Sequence, residues 1–245
     1  MTVLNLQVGA SADDAYCSDD AVTKSIVATT INFGRESSTV DGVSGFRFTN
    51  VTVPAGATIS SAVLTLTQFG NNGNTPLINI YGEAIDNSTT FSTSSPNRTI
   101  DKARTTNYVA WQTSGTWYTN IEYSSPNLGN GANSPVGEVL GRANWASGNA
   151  LTLICDGKNT GSYYKTPYAY DSSTTKCAKL SITYTAAASG TKMQINIGDT
   201  WKTVTALQIN IGDVWKAVTK VQINIGDVWK TVFSLLLYLF VRAKS

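Results

Sequence analysis

The chain offers few residues that can move a proton or act as a nucleophile. Its 245 residues include no histidine, three cysteines, and 16 Asp and Glu against 18 Lys and Arg. The lack of histidine excludes a Ser-His-Asp triad, a Cys-His pair and any His-containing zinc site. Cys17, Cys155 and Cys177 show no CxxC spacing, and a thiol without an activating base is a poor nucleophile. They read as buried small hydrophobes; the alternative is one disulfide, with Cys155 and Cys177 both flanking core strands, plus a free thiol. The only glutamates are Glu36, Glu83, Glu122 and Glu138, and their spacing singles out no acid and nucleophile for glycoside hydrolysis. The expectation is a protein that is not an enzyme and needs no cofactor.

Binding chemistry is better supplied. Asp13, Asp14, Asp156 and Asp171 lie beside loops, and Asp13 and Asp14 could offer hard oxygen ligands. Calcium takes about six to eight such oxygens, so these four read as turn-capping aspartates and no metal ligand is assigned. Aromatic rings able to stack on a sugar are present at Trp111, Trp117, Tyr118, Tyr163, Tyr164, Tyr168 and Tyr170. Trp111 and Trp117 read as core or rim packing. Tyr163, Tyr164, Tyr168 and Tyr170 sit in a tyrosine-rich loop over residues 163–171, open to contact with a glycan or receptor, to contact with another protein, or to plain surface.

These rings must be held by β-structure. Charged residues make up only 14% of the chain, well below the usual quarter. Ser, Thr, Asn and Gly fill the gap, and no long stretch keeps a helical period. Net charge is +2 with no basic run, so the clustered cations of a nucleic-acid binder are missing and no such partner is expected. Short alternating runs recur at about ten-residue spacing with turn residues between them. They cover residues 2–8, 25–33, 45–51, 59–67, 77–82, 149–155 and 179–184. Residues 135–142 are the one plausible short helix. Residues 86–104 read as a polar surface excursion. In residues 46–48, alternation places Phe46 and Phe48 on one face and Arg47 on the other. The Pro54 and Gly56 turn lets Val51 and Ile59 enter the core.

Four landmarks fall in order: GFRFTNVTVPAGATISSAVLTLT (45–67), INIYGEA (78–84), ANWASGNALTLI (143–154) and AYDSSTTKCAKLSITY (169–184). Together they resemble the DNRLRE-type jelly rolls over residues 10–185. One departure is the absence of the usual proline before the closing strand, where Lys176, Cys177, Ala178 and Lys179 stand. The resemblance implies a jelly-roll β-sandwich. Such modules occur in secreted bacterial proteins and phage structural proteins, some of them binding carbohydrate.

From Lys192 a 14-residue phrase is written three times, with glycines at Gly198, Gly212 and Gly226 and tryptophans at Trp201, Trp215 and Trp229. Gly-Asp between two β-branched runs signals a hairpin of type II′. Ile195 and Ile197 share a face, and the three tryptophans are expected to form a ladder. Repeats this short need neighbours to bury a core. The phrase resembles repeats near the ends of phage tail and virion proteins. Residues 232–241 are almost purely apolar but far short of the ~20 residues of a membrane span, so no span is expected. Leu235, Leu236, Leu237, Tyr238, Leu239 and Phe240 are expected to anchor or oligomerise together with the three tryptophans.

The expected architecture is all-β. A jelly-roll β-sandwich spans residues 1–185, followed by a linker (186–191), a small β-hairpin repeat module (192–233) and an apolar tail (234–245). The expected function is a non-enzymatic bacteriophage virion structural protein, a fibre or a capsid decoration and attachment protein. Its partners would be copies of itself, with a trimer favoured, and other virion proteins. The alternative is a carbohydrate-binding adhesin that recognises host surface glycans. Residues 1–14 lack the basic and apolar regions of a secretory signal. This fits a virion protein made in the host cytoplasm.

Overall fold

The structure is a computed structural model. It describes residues 1–131, 134–157 and 163–187, together with the backbone of six strands between 194 and 234. The chain divides into two compact units, Met1–Ala187 and Ala188–Ser245.

The first unit is a β-sandwich of two antiparallel sheets. β1 (Thr2–Gln7), β12 (Lys179–Thr185), β6 (Thr58–Thr67) and β9 (Glu122–Ser124) form the four-stranded sheet in that order. The six-stranded sheet runs β3 (Lys24–Ser25), β2 (Asp14–Ser18), β5 (Gly42–Phe48), β10 (Leu151–Gly157), β7 (Leu77–Glu83), β8 (Arg104–Gln112). The chain changes sheets at β1–β2, β5–β6, β6–β7, β8–β9, β9–β10 and β10–β12, which is the jelly-roll pattern. β4 (Phe33–Gly34) pairs with β11 (Tyr164–Lys165) beside the main sheets.

The core lies between the sheets and follows from strand alternation. Phe46, Phe48, Ile78, Ile80, Leu151 and Leu153 are fully buried on one side, Leu64, Leu66, Leu180 and Ile182 on the other. Arg47 takes the opposite phase from its two phenylalanines. Ile59 and Ala62 both face the core although they are three residues apart, which strict alternation forbids. A β-bulge in β6 resolves this, because Tyr184 pairs with Ile59 while Thr183 pairs with Ser61, leaving Ser60 over. Trp111 and Trp117 are core residues, with centroids 5.4 Å apart and Phe33 against both. The helix falls as expected at α1 (Pro135–Leu140), with Ser134 accepting from the Gly137 amide as its N-cap. The run at residues 25–33 does not form one strand: only its ends pair, in β3 and β4, and Thr30 makes a single bridge to Tyr168.

The segment 86–104 is more than a surface excursion. It lies over the outer face of the six-stranded sheet. There Ala15, Gly45 and Ile154 stand in one row across β2, β5 and β10. A Cβ placed on Gly45 would run into the Phe91 ring, so the glycine makes room for the lid. Phe91, Ile154, Ala15 and Cys17 are buried in this second, smaller core. Lys102, itself buried, reaches Glu83 at 3.2 Å and Thr89 Oγ1 at 2.9 Å and fastens the lid to β7.

In the second unit three antiparallel pairs form: β13 (Gln194–Ile197) with β14 (Thr200–Thr203), β15 (Gln208–Ile211) with β16 (Val214–Ala217), and β17 (Lys220–Ile225) with β18 (Val228–Ser234). Each pair spans a Gly-Asp dipeptide, as a two-residue hairpin requires. Gly198, Gly212 and Gly226 themselves lie outside the described residues. Ile195 is opposite Lys202, and Asn196 is opposite Trp201; the same offsets hold for Ile209 with Lys216 and Asn210 with Trp215. Directly opposed residues share a face. The isoleucine positions and the tryptophan position therefore fall on opposite faces of each hairpin. Trp229 pairs with Asn224 in the same way. Residues 188–191 of the linker and Leu235, Leu236, Leu237, Tyr238, Leu239 and Phe240 lie outside the described residues.

Candidate functional site

The lid covers only half of the outer face. The row Ala15–Gly45–Ile154 continues through Tyr81 in β7 to Tyr108 in β8. Past the lid, Tyr81 is half-buried beneath the Arg104 guanidinium and Tyr108 stands in the open. Their ring centroids are 5.1 Å apart at an interplanar angle of 37°, and Tyr108 is 51% exposed. The parallel row Val43–Asp156–Asn79–Ala110 runs alongside. Arg104, at the start of β8, links the two rows. Its guanidinium lies 5.6 Å from the Tyr81 centroid and 3.2 Å from Asp156.

Next to this pair is a depression of about 330 Å³ lined by Asp19, Asp41, Val43, Ile100, Asp101, Arg104 and Asp156. The sheet supplies its floor, the lid one wall, and the loops around Asp19 and Asp41 the other. Its charges are held in place: Asp101 pairs with Arg98 at 2.7 Å and Asp41 with Arg35 at 3.4 Å. The Arg98 guanidinium holds the Asp101 carboxyl below its ordinary range. The arrangement provides a tilted pair of aromatic rings beside fixed hydrogen-bond formers, which suits a polar ligand with one apolar face.

The tyrosines singled out from the sequence are placed differently. Residues 163–170 run extended past β4, the Thr30 region and Asp14, so the four rings meet different neighbours. Tyr163 is exposed. Tyr164 lies in β11, and Tyr170 packs on the core. Tyr168 packs edge-on against Phe69 at 5.0 Å, donates to Asn120 at 2.9 Å and lies under the Lys176 ammonium. Among the described residues no ring contact joins any two of the four. Between them Lys165 is wholly buried; it donates to the carbonyls of Asn72 and Gly115 and lies over Trp117. Burial draws its pKa down to about 8.

The aspartates have structural roles. Asp13 pairs with Arg47 at 2.6 Å, Asp171 accepts from Ser11 at 2.6 Å, and Asp156 pairs with Arg104. Asp14 accepts the Tyr170 amide at 2.8 Å, and burial, with smaller contributions from Asp171 and Asp13, pushes its pKa up to about 7. Among the described residues no group of three or more His, Cys, Asp or Glu is arranged to hold a metal. Cys17, Cys155 and Cys177 are all free and buried, so the disulfide alternative is not realised. Burial raises all three thiol pKa values, that of Cys177 to about 11. No helix among the described residues is long and apolar enough to cross a membrane.

The sequence did carry a signal for the Tyr81 and Tyr108 pair. In residues 78–81 the isoleucines occupy the core phase and Tyr81 the other; in residues 108–111 Trp111 is in core phase and Tyr108 is not. Aromatic rings in the solvent phase of two strands are a surface feature. Only the pairing register shows that they meet.

No family model and no curated protein matches the chain. Among solved structures, the native structure of a family 35 carbohydrate-binding module from Clostridium thermocellum is similar to 76% of this chain and 100% of its own, at 10% identity and a TM-score of 0.31.

Proposed function

We propose that the first unit is a non-catalytic carbohydrate-binding module. Its ligand lies on the open half of the six-stranded sheet's outer face, across Tyr81 and Tyr108, with hydroxyls reaching into the adjoining depression. The observation that carries this reading is the pairing of two solvent-phase tyrosines directly across β7 and β8, beside Arg104 and Asp156. Tyrosine gives large contact area for little loss of side-chain freedom. The fixed carboxylates and guanidinium supply acceptors and donors for sugar hydroxyls. A glycan array probed with the intact chain tests it. Binding to a defined glycan set that is lost in Tyr108→Ala supports the reading; no binding to any glycan, or binding unchanged by the substitution, rejects it.

The hairpin unit supports a second element of this reading, attachment to a larger assembly such as a phage virion, either as a fibre or as a decoration protein. Two-stranded hairpins with strands of four to seven residues are marginal alone, and the register puts apolar positions on both faces of each. Immunogold labelling of intact phage particles tests that setting, and unlabelled particles reject it.

A further inference from the structure

The two main sheets have four edges; two are very short and a third is capped in part. β3 is two residues long. β9 is three residues long and carries Glu122. β8 is long, and over its first part Glu138 of α1 accepts from the amides of Thr106 at 2.8 Å and Asn107 at 2.9 Å, occupying two donors with a carboxylate. Short strands, edge charges and capped amides are the usual ways of preventing edge-to-edge association. The fourth edge has none of them among the described residues. β1 is six residues, Thr2–Gln7, without a charge, a proline or a bulge, and Val3 is 57% exposed. Its core-phase residues Leu4 and Leu6 are only half-buried.

We propose that β1 is a self-association edge: two copies of this chain pair antiparallel through β1, joining their four-stranded sheets into one eight-stranded sheet. Two observations favour a second copy as the occupant. The strand is uncharged, so a two-fold axis brings no like charges together. Its core phase, Leu4 and Leu6, would cover its counterpart in the partner and complete the burial that one copy leaves unfinished. Parity then narrows the register. For both cores to lie on the same side of the joined sheet, paired residue numbers must sum to an even value, because side chains alternate with period two. Of the axes parity allows, the two with the longest overlap, five residues of β1, pass through Leu4, pairing Val3 with Asn5 of the second copy, or through Asn5, pairing it with itself. A five-residue edge buries less than a stable interface needs, so the contact is a weak one that adds to whatever else holds copies together. It lies on the sheet opposite the tyrosine pair and does not depend on the glycan reading.

The test is disulfide trapping in the full chain, whose native cysteines are buried. Directly opposed strand positions lie within disulfide reach. Under mild oxidation, a mixture of Val3→Cys and Asn5→Cys chains yields a linked dimer of the two variants if the axis is at Leu4. Asn5→Cys alone yields one if the axis is at Asn5. Val22→Cys, at another exposed position, measures chance collision. Linking at either β1 position at least roughly tenfold faster than at Val22 is the expected result. Rates equal to that control in both arms overturn the proposal. Thermal melts of the reduced variants, unchanged because Val3 and Asn5 are exposed, verify that the folded chain is what is being trapped.

Discussion

Tyr81 and Tyr108 are directly opposed residues of β7 and β8, and their rings lie 5.1 Å apart on the face that the lid leaves open. Both occupy the solvent phase of strands whose core phase is filled by Ile78, Ile80 and Trp111. The platform is thus set by the backbone pairing of two rigid strands, not by a loop.

Replacing either ring should therefore change binding without changing the fold. Tyr108→Ala is expected to weaken glycan affinity by about 1–2 kcal/mol, roughly five- to thirtyfold. Tyr108→Phe keeps the ring and should keep most of the affinity. Titration calorimetry against a glycan found on the array, with melting curves alongside, is the measurement. A Tyr108→Ala protein that melts normally and binds normally would remove Tyr108 from the site.

Asp14 should make the protein more stable in mild acid. Its folded pKa is raised to about 7 by burial, against about 3.9 in an unfolded chain. Between these values the folded state holds a proton that the unfolded state has released. Stability from this group therefore falls as pH rises from about 4 to about 7. Asp14→Asn retains an oxygen for the Tyr170 amide and removes the ionisation. It should match the parent near pH 4 and exceed it by up to about 4 kcal/mol above pH 7. Urea unfolding at several pH values reads this directly; identical pH profiles for the two proteins would contradict it.

Much of the sandwich was legible because alternation is a local signal. The positions of Phe46, Arg47 and Phe48, the turn at Pro54 and Gly56, and the helix at Pro135 all follow from neighbouring residues. What the sequence did not disclose depends on contacts between distant segments. Nothing near Gly45 says that Phe91 will lie on it, so residues 86–104 read as a loop and not as a lid. Residues 25–33 are rich in β-branched side chains, but most find no strand to pair with, and propensity yields to the lack of a partner. The tyrosine segment was visible as composition, yet an extended path spreads its rings among different neighbours. Tyr81 and Tyr108 were each visible, but 27 positions separate them in the chain and only the sheet register makes them a pair.

The lid predicts its own sensitivity. Gly45→Val puts branched carbon where the Phe91 ring and the Thr99 methyl lie. Overpacking of this kind costs about 1–3 kcal/mol, and here the load falls on the lid. Limited proteolysis should show faster cleavage within residues 86–104 while the sandwich core resists. Gly45→Val combined with Phe91→Ala should recover part of the lost stability, since the removed ring vacates the space. Strictly additive losses in the double variant would mean that the two residues do not meet.

Arg47 and Asp13 carry the sharpest electrostatic prediction. Their 2.6 Å pair is largely shielded, with side chains 18% and 6% exposed, and Arg47 Nε also donates to the Ser88 carbonyl of the lid at 2.9 Å. Arg47→Met leaves the Asp13 carboxylate buried without its cation and frees the lid carbonyl. Breaking a buried pair from one side costs about 3–5 kcal/mol; the partial exposure of Arg47 puts the expectation at the lower end. Asp13→Asn leaves a guanidinium that can still turn toward water, so its cost should be smaller. Because a neutral amide needs no counter-charge, Arg47→Met with Asp13→Asn should be more stable than Arg47→Met alone. A double-mutant cycle by chemical denaturation measures this coupling. If the double variant is the least stable of the three, packing by the Arg47 stem, and not charge pairing, is what this residue contributes.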